Sequence, residues 1–248
     1  MSSTFRVLTL NIHKGFALGP KRLVLHSIRK TLRESKANLV FLQEVVGRNQ
    51  KHGRRIKHWP AETQLEFLAD TVWSHHAYGK NAIYSHGHHG NAILSEHPFI
   101  SWNNIDASFL RISQRGFLHG TIAPNIHLIC VHLGLFERER QQQVFLLLDH
   151  IRQHIPDHAP LIIAGDFNDW RHICHRTLLD NLDLHEAHVH QHGHCASTYP
   201  AFYPILPMDR IYLRGFDISA CSSMAGPGWR DFSDHRALLA DIMLSSPT

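Results

Sequence analysis

Nine polar residues end or interrupt apolar runs in this chain: Asn11, Glu44, Asn91, His132, Asp166, Asn168, Asp209, Asp234 and His235. Glu44, Asp166, Asp209 and Asp234 are carboxylates, and bringing them together has a cost. Two like charges 4 Å apart repel by roughly 4 kcal/mol at an effective dielectric of 20. A divalent cation relieves that repulsion, and hard oxygen donors suit Mg²⁺ best, with Mn²⁺ as an alternative. The two histidines can serve as acid, base or clamp on an anion, because imidazole changes charge near neutral pH. Carboxylates, amides and imidazoles around a hard cation are the groups that in-line displacement at phosphorus needs. Singly, each residue has a plainer reading. Asn11, Glu44 and Asp166 can simply terminate strands, and Asp209 with Arg210 can form a structural ion pair.

The elements that must carry these residues repeat a β-α-β pattern. Val7 to Asn11 and Leu39 to Glu44 read as strands, with Leu25, Ile28 and Leu32 at helical spacing between them. The second copy runs from Ile126–His132 to Leu161–Asp166, through a helix carrying Val144, Leu147, Leu148 and Ile151 on one face. Asn11 and Glu44 are 33 positions apart, and His132 and Asp166 are 34 apart. All four strands are nearly continuous apolar runs, as expected for strands buried on both faces. If each crossover joins parallel strands, the polar ends reach one rim of the sheet, where open α/β sheets bind ligands. A further helix is expected from Glu62 to Trp73, and strands at Asp209–Leu213 and Ala237–Ala240. This pattern predicts an α/β fold: two mixed β-sheets packed as a sandwich with helices outside.

Seven short words follow one another: Thr9-Leu10-Asn11-Ile12-His13, Leu42-Gln43-Glu44, Gly90-Asn91-Ala92-Ile93-Leu94-Ser95, Val131-His132-Leu133, Gly165-Asp166-Phe167-Asn168, Met208-Asp209-Arg210-Ile211 and Ser233-Asp234-His235. In that order they resemble the endonuclease/exonuclease/phosphatase superfamily, from about residue 5 to 243. That superfamily includes DNase I-like nucleases, sphingomyelinases and inositol polyphosphate phosphatases. The resemblance implies the four-layer DNase I-like fold and a role for each matched position. Glu44 would be the principal metal ligand, with Asn11 and Asp234 near it. Asp166 and Asn168 would position the attacking water and the phosphate. His235, held by Asp209, would contact the scissile phosphate. His132 matches the second histidine of DNase I and the sphingomyelinases, where abasic-site repair nucleases carry tyrosine. Asn91 matches an asparagine that contacts phosphate. Two departures stand out: no glutamate supporting His132 can be placed, and position 13 is His where repair nucleases have an acidic residue.

Composition bounds the rest. The chain has 248 residues, 43% of them hydrophobic, and is expected to form one domain over 1–248. It has no long uncharged apolar stretch for a membrane span and no signal-peptide core, so a cytoplasmic location is expected. The four cysteines have no C-x-x-C spacing and read as reduced thiols. The 24 histidines are densest at 86–89 and 185–194, where solvated loop histidines are a plainer reading than a transition-metal site. A formal net charge of +4 favours polyanionic partners. Val45 to Pro60 carries Arg48, Lys51, Arg54, Arg55 and Lys57 with no acidic residue, and Arg54 and Arg55 are candidate substrate contacts. The Thr198–Pro204 segment adds aromatics that can stack on bases, touch lipid or pack on the domain.

These features point to a Mg²⁺-dependent phosphodiesterase, with nucleic acid slightly favoured as substrate and no obligate protein partner evident. Alternatives are a phospholipid-headgroup or small-molecule phosphoesterase of the same fold, a non-catalytic polyanion-binding module, or a metal buffer built on the histidine patches.

Overall fold

The computed structural model describes residues 4–17, 22–49, 56, 59–84, 86–110, 112–226 and 228–245, with the side chains of 48 and 49 excepted. Arg54 and Arg55, the basic residues expected to touch substrate, lie outside the described residues.

Two six-stranded mixed sheets pack face to face. The first contains β1 (Thr4–Asn11), β2 (Leu39–Asn49), β3 (His75–Tyr84), β4 (Gly87–Ser95), β11 (Phe216–Ser223) and β12 (Leu238–Leu244), in the order β11-β12-β1-β2-β4-β3. The second contains β5 (Phe99–Asp106), β6 (Gly116–Ile122), β7 (Ile126–His132), β8 (Leu161–Asp166), β9 (His185–Glu186) and β10 (Asp209–Arg214), in the order β5-β6-β7-β8-β10-β9. Both expected crossovers are parallel: β1 to β2 through α1 (Leu25–Glu34), and β7 to β8 through α3 (Glu137–His154). Helices α1 and α2 (Gln64–Ala69) cover the outside of the first sheet, and α3 and α4 (Ile173–Asn181) cover the second. Helix α5 (Ala187–His192) contacts β11, an edge strand of the first sheet, and β9 and β10 at one end of the second. Among the described residues no helix is long and apolar enough to cross a membrane.

Strand alternation explains why the apolar runs are continuous. Side chains of successive strand residues point to opposite faces. Val7, Phe41, Cys130 and Ala164 fill the core between the sheets, while Leu8, Val40, Val131 and Ile163 pack under the outer helices. The same parity puts Asn11, His132, Asp166 and Asp209 on the inner faces. Arg210, one residue on, turns outward and pairs with Asp169, so the plainer reading of Asp209 and Arg210 as an ion pair does not hold.

Two expectations need correction. Strand β2 does not end at Glu44 but continues to Asn49, past an irregularity between Leu42 and Val45. Glu44 sits in that bulge with φ +59°, which turns toward the rim a side chain that parity would send outward. Helix α2 is shorter than Glu62–Trp73. Thr63 accepts a hydrogen bond from Glu66 N and donates its own N–H to Glu66 Oε2, a capping box that starts the helix at Gln64. Asp70, at φ +46°, ends it.

Gly165 marks the closest approach of β7 and β8: a Cβ there would lie 2.0 Å from the Val131 carbonyl oxygen, at φ +151°. Gly165→Ala is expected to lower stability by roughly 3 kcal/mol or more, measured as a shift in the urea unfolding midpoint at unchanged slope. A change under about 0.5 kcal/mol would show that the two strands can part freely.

Candidate active site

The inner-face residues meet where the gap between the sheets opens, at the carboxyl ends of β1, β7 and β8. Asn11, His132 and Asp166 line a cavity of about 230 Å³ with Glu44, Arg115, Leu135, Asn168, Tyr199, Met208, Asp234 and His235, and Asp209 lies behind His235. At its floor the Asp166 carboxylate is 1% exposed. Its Oδ2 accepts from Asn11 Nδ2 at 3.1 Å, a bond that links the two sheets, and its Oδ1 accepts from Asn168 N at 3.0 Å. Both histidines flank it, with His132 Nε2 3.5 Å and His235 Nε2 3.7 Å from Oδ2. Strand β10 pairs antiparallel with β8, placing Asp209 opposite Asp166, and His235 Nδ1 donates to Asp209 Oδ2 at 2.8 Å.

These surroundings pull the titrating groups apart. Burial, reinforced by Asp209, pushes the Asp166 carboxyl up to about 6, against the opposing pull of His235 and the Asn11 hydrogen bond. Burial disfavours charge on His235 as well, but Asp209 and Asp166 outweigh it and raise this imidazole to about 10. His132 goes the other way: burial, then Arg115, His235, His89 and Lys14, hold it well below the usual imidazole range. At neutral pH the pocket therefore holds one cationic and one neutral histidine, a difference the sequence does not carry.

Asp166, Asp209 and His235 also form the one group among the described residues whose His, Cys or acidic donor atoms all lie within 4.8 Å of one another. His235, between the two carboxylates, already offsets part of their charge. The better fit to a divalent cation is Glu44, Asp234 and Asn11, which line the same pocket. Glu44 Oε2 is buried without a hydrogen bond; Lys14 Nζ is 3.1 Å away, close enough for an ion pair but out of line for a hydrogen bond. Asp234 Oδ1 is paired with His13 Nδ1 at 3.1 Å. Burial works against the Asp234 charge, but the His13 bond and the charge of His235 outweigh it and lower its pKa. Lys14 and His13 are about two-fifths exposed, so a cation bound by Glu44 and Asp234 can displace them at little cost. Asn11 Oδ1 accepts the His13 N–H and retains a second lone pair.

Asn168, at φ +50°, is held by its Nδ2 donating to Leu133 O at 3.0 Å. Asn91 does not line the cavity. It points into the inter-sheet gap, where Nδ2 donates to the carbonyls of Gly116 (2.9 Å) and Cys130 (3.3 Å), bracing β4 against β6 and β7. The sequence reading missed Arg115, which follows an irregular loop and is fixed by Nε donating to Leu133 O at 3.2 Å. It also missed the cationic roles of His13 and Lys14. Among the described residues no carboxylate other than Asp166 is paired with His132; His89 lies near enough to depress its protonation, and burial lowers His89 itself to about 4. Tyr199, from the aromatic segment, packs its ring 5.1 Å from that of His235.

Other features do not compete with this site. A larger groove of about 600 Å³ beside Arg6 and Asp241 holds an ion pair already closed at 2.6 Å. The rings of His188, His192 and His194 pack on one another, and each has one ring nitrogen engaged by a backbone carbonyl. Their donor atoms do not converge, which supports the plainer reading of that patch.

The sequence profile of the endonuclease/exonuclease/phosphatase family matches residues 8–235, which include the whole constellation. The chain belongs to this family. Family members are generally hydrolases acting on phosphate esters and typically use a divalent metal. The uncharacterized protein YbhP of Escherichia coli K12 is 42% identical over 246 residues, covering 97% of each chain. A family member from Beutenbergia cavernae has the same fold, with a TM-score of 0.79 at 20% identity over 98% of this chain and 72% of that one. D. rerio TDP2, solved with a single-strand DNA product, superposes with a TM-score of 0.70 at 19% identity, covering 97% and 99% of the two chains.

If Glu44 holds a cation, millimolar Mg²⁺ or Mn²⁺ should raise the thermal midpoint; occupancy at 100 times Kd corresponds to about 2.7 kcal/mol. Glu44→Gln should lose that shift. An equal shift in the variant would place the ion elsewhere.

Proposed function

We propose that this chain is a divalent-metal-dependent phosphodiesterase. The observation that carries the reading is Asp166, buried between a cationic and a neutral histidine at the foot of a cavity that Glu44 and Asp234 also line. In it Asp166, ionised above about pH 6, aligns a water for attack on phosphorus and accepts its proton. His235, kept protonated and oriented by Asp209, donates to a non-bridging phosphate oxygen and stabilises charge that grows in the transition state. Neutral His132 hydrogen-bonds the same phosphate without adding charge. Asn168 fixes the Asp166 carboxylate through its backbone N–H. Arg115, at the cavity wall, faces the substrate's remaining negative charge. Mg²⁺, or Mn²⁺ in its place, held by Glu44, Asp234 and Asn11 would neutralise charge on the phosphate and its leaving group.

The test uses bis(p-nitrophenyl) phosphate, a soluble diester with no other recognition element. Asp166→Asn and His235→Ala should each lower kcat/KM by about 10³-fold while circular dichroism stays native. EDTA should abolish turnover. Near-full activity in either variant would overturn the role assignment.

The pH profile follows from the same two groups. Activity should rise as pH passes about 6, where Asp166 loses its proton, and fall toward about 10, where His235 loses its own. Asp209→Asn removes the carboxylate that raises His235, so the alkaline limb should move to lower pH. An unmoved limb would separate His235 from the ionisation that controls turnover.

A further inference from the structure

Among the described residues, eleven of the fifteen exposed large apolar side chains lie on loops and strand ends at the edge of the sheets that holds the active site. Single exposed apolar residues are ordinary on a protein surface, whereas a contiguous set marks an interaction surface.

The topology shows why they gather. Strand β4 runs antiparallel to β2, with Asn49 opposite Gly87, so the β3–β4 turn with Ile83 and Tyr84 projects beyond Glu44. Gly116 pairs with His132, which brings the β5–β6 connection, with Phe109, Leu110 and Ile112, to the carboxyl end of β7. Leu135 and Phe136 follow that end directly, and Trp170 follows the end of β8. Phe202, Tyr203 and Ile205 precede β10, whose first residue faces Asp166. Ile112 is 85% exposed, and Phe202 and Tyr203 are about 70% exposed.

Hydrogen bonds tie these loops to one another and to the site. Ile83 N donates to Gln114 Oε1, joining the first two loops. Arg115 Nε donates to Leu133 O, joining the second to the third. The Arg140 guanidinium donates to Leu135 O and lies 4.9 Å from the Trp170 ring. Ala201 N donates to Asp234 O at 2.7 Å. The apolar side chains therefore stand on a braced rim around a polar cavity.

We propose that this rim docks on the surface of a phospholipid bilayer and presents the headgroup phosphodiester of a glycerophospholipid to the cavity. The proposal rests on the phosphodiesterase reading above. Two features favour lipid over nucleic acid. Ile83, Leu110, Ile112, Leu135 and Ile205 have no π-face on which a base could stack, yet each can enter the acyl boundary. The exposed cations Arg138 and Arg171 are interleaved with Phe136 and Trp170, and Arg171 lies 5.8 Å from the Trp170 ring. That mixture of cation and amphipathic aromatic suits the interface of an anionic bilayer. A phospholipid has the matching chemistry, with a phosphodiester at the centre and apolar chains beside it.

The test separates docking from catalysis. The full chain, in EDTA, is sedimented with vesicles of 3:1 phosphatidylethanolamine to phosphatidylglycerol. The chain should pellet with them, and an Ile112→Glu/Ile205→Glu double variant should bind at least about tenfold more weakly. Both substitutions lie outside the cavity, so hydrolysis of bis(p-nitrophenyl) phosphate should stay within about twofold. A wild-type chain left in the supernatant, or a double variant that pellets equally well, overturns the proposal. So does loss of single-strand DNA binding in the double variant with vesicle binding intact, which would assign the rim to bases. Vesicle binding lost in the double variant supports docking even if the soluble diester is not cleaved. That last failure would fall on the phosphodiesterase reading alone.

Discussion

Asp166 has been taken out of water at the seam between two sheets, and a buried carboxylate needs partners that match its charge. Much of the site answers that need. Asn11 reaches across from the first sheet to donate to it, Asn168 donates from the next turn, and His235 stands within 4 Å as a cation. Asp209 then balances His235, and the antiparallel register of β10 against β8 sets Asp209 in place. The arrangement remains unfavourable for an ionised Asp166, whose carboxyl is raised to about 6. That residual strain is what a general base near neutral pH requires.

The two halves of the cavity handle charge differently. On the Asp166 side, carboxylates and a histidinium are matched by fixed, buried groups. On the Glu44 side, the counter-charges are Lys14 and His13, which are substantially exposed and replaceable. Under the proposed function, a cation held there would exchange without disturbing Asp166. The bulge at Glu44 serves the same division: it turns one side chain toward the rim while Leu39 to Gln43 keep their register with β1.

Much of this was legible in the residues. Parallel crossovers force strand ends to one rim, so Asn11, His132 and Asp166 could be placed there from apolar runs and spacing alone. Glu44 was found as well, although its bulge and the continuation to Asn49 were not, because a bulge leaves no periodic trace. Asp209 was legible as a partner for His235 only through family likeness; locally it read equally well as a partner for Arg210. Strand parity decided between them by sending Arg210 outward to Asp169. Asn91 was placed at the phosphate but braces the sheets instead, since its inward position on β4 faces two backbone carbonyls. Arg115 was invisible because it follows an irregular loop, and only the Leu133 carbonyl fixes it. Of the rim, the Thr198–Pro204 aromatics alone were noticed, because its members come from five separate segments with no shared spacing.

The central claim is that the two histidines hold opposite charge states around one buried carboxylate. Nitrogen-15 NMR of imidazole-labelled protein in EDTA, with His132→Gln and His235→Gln variants to assign the signals, tests it directly. The account predicts a doubly protonated His235 at pH 8 and a neutral His132 at pH 6. A neutral His235 at pH 8, or two histidines titrating together near their ordinary pKa, would contradict it.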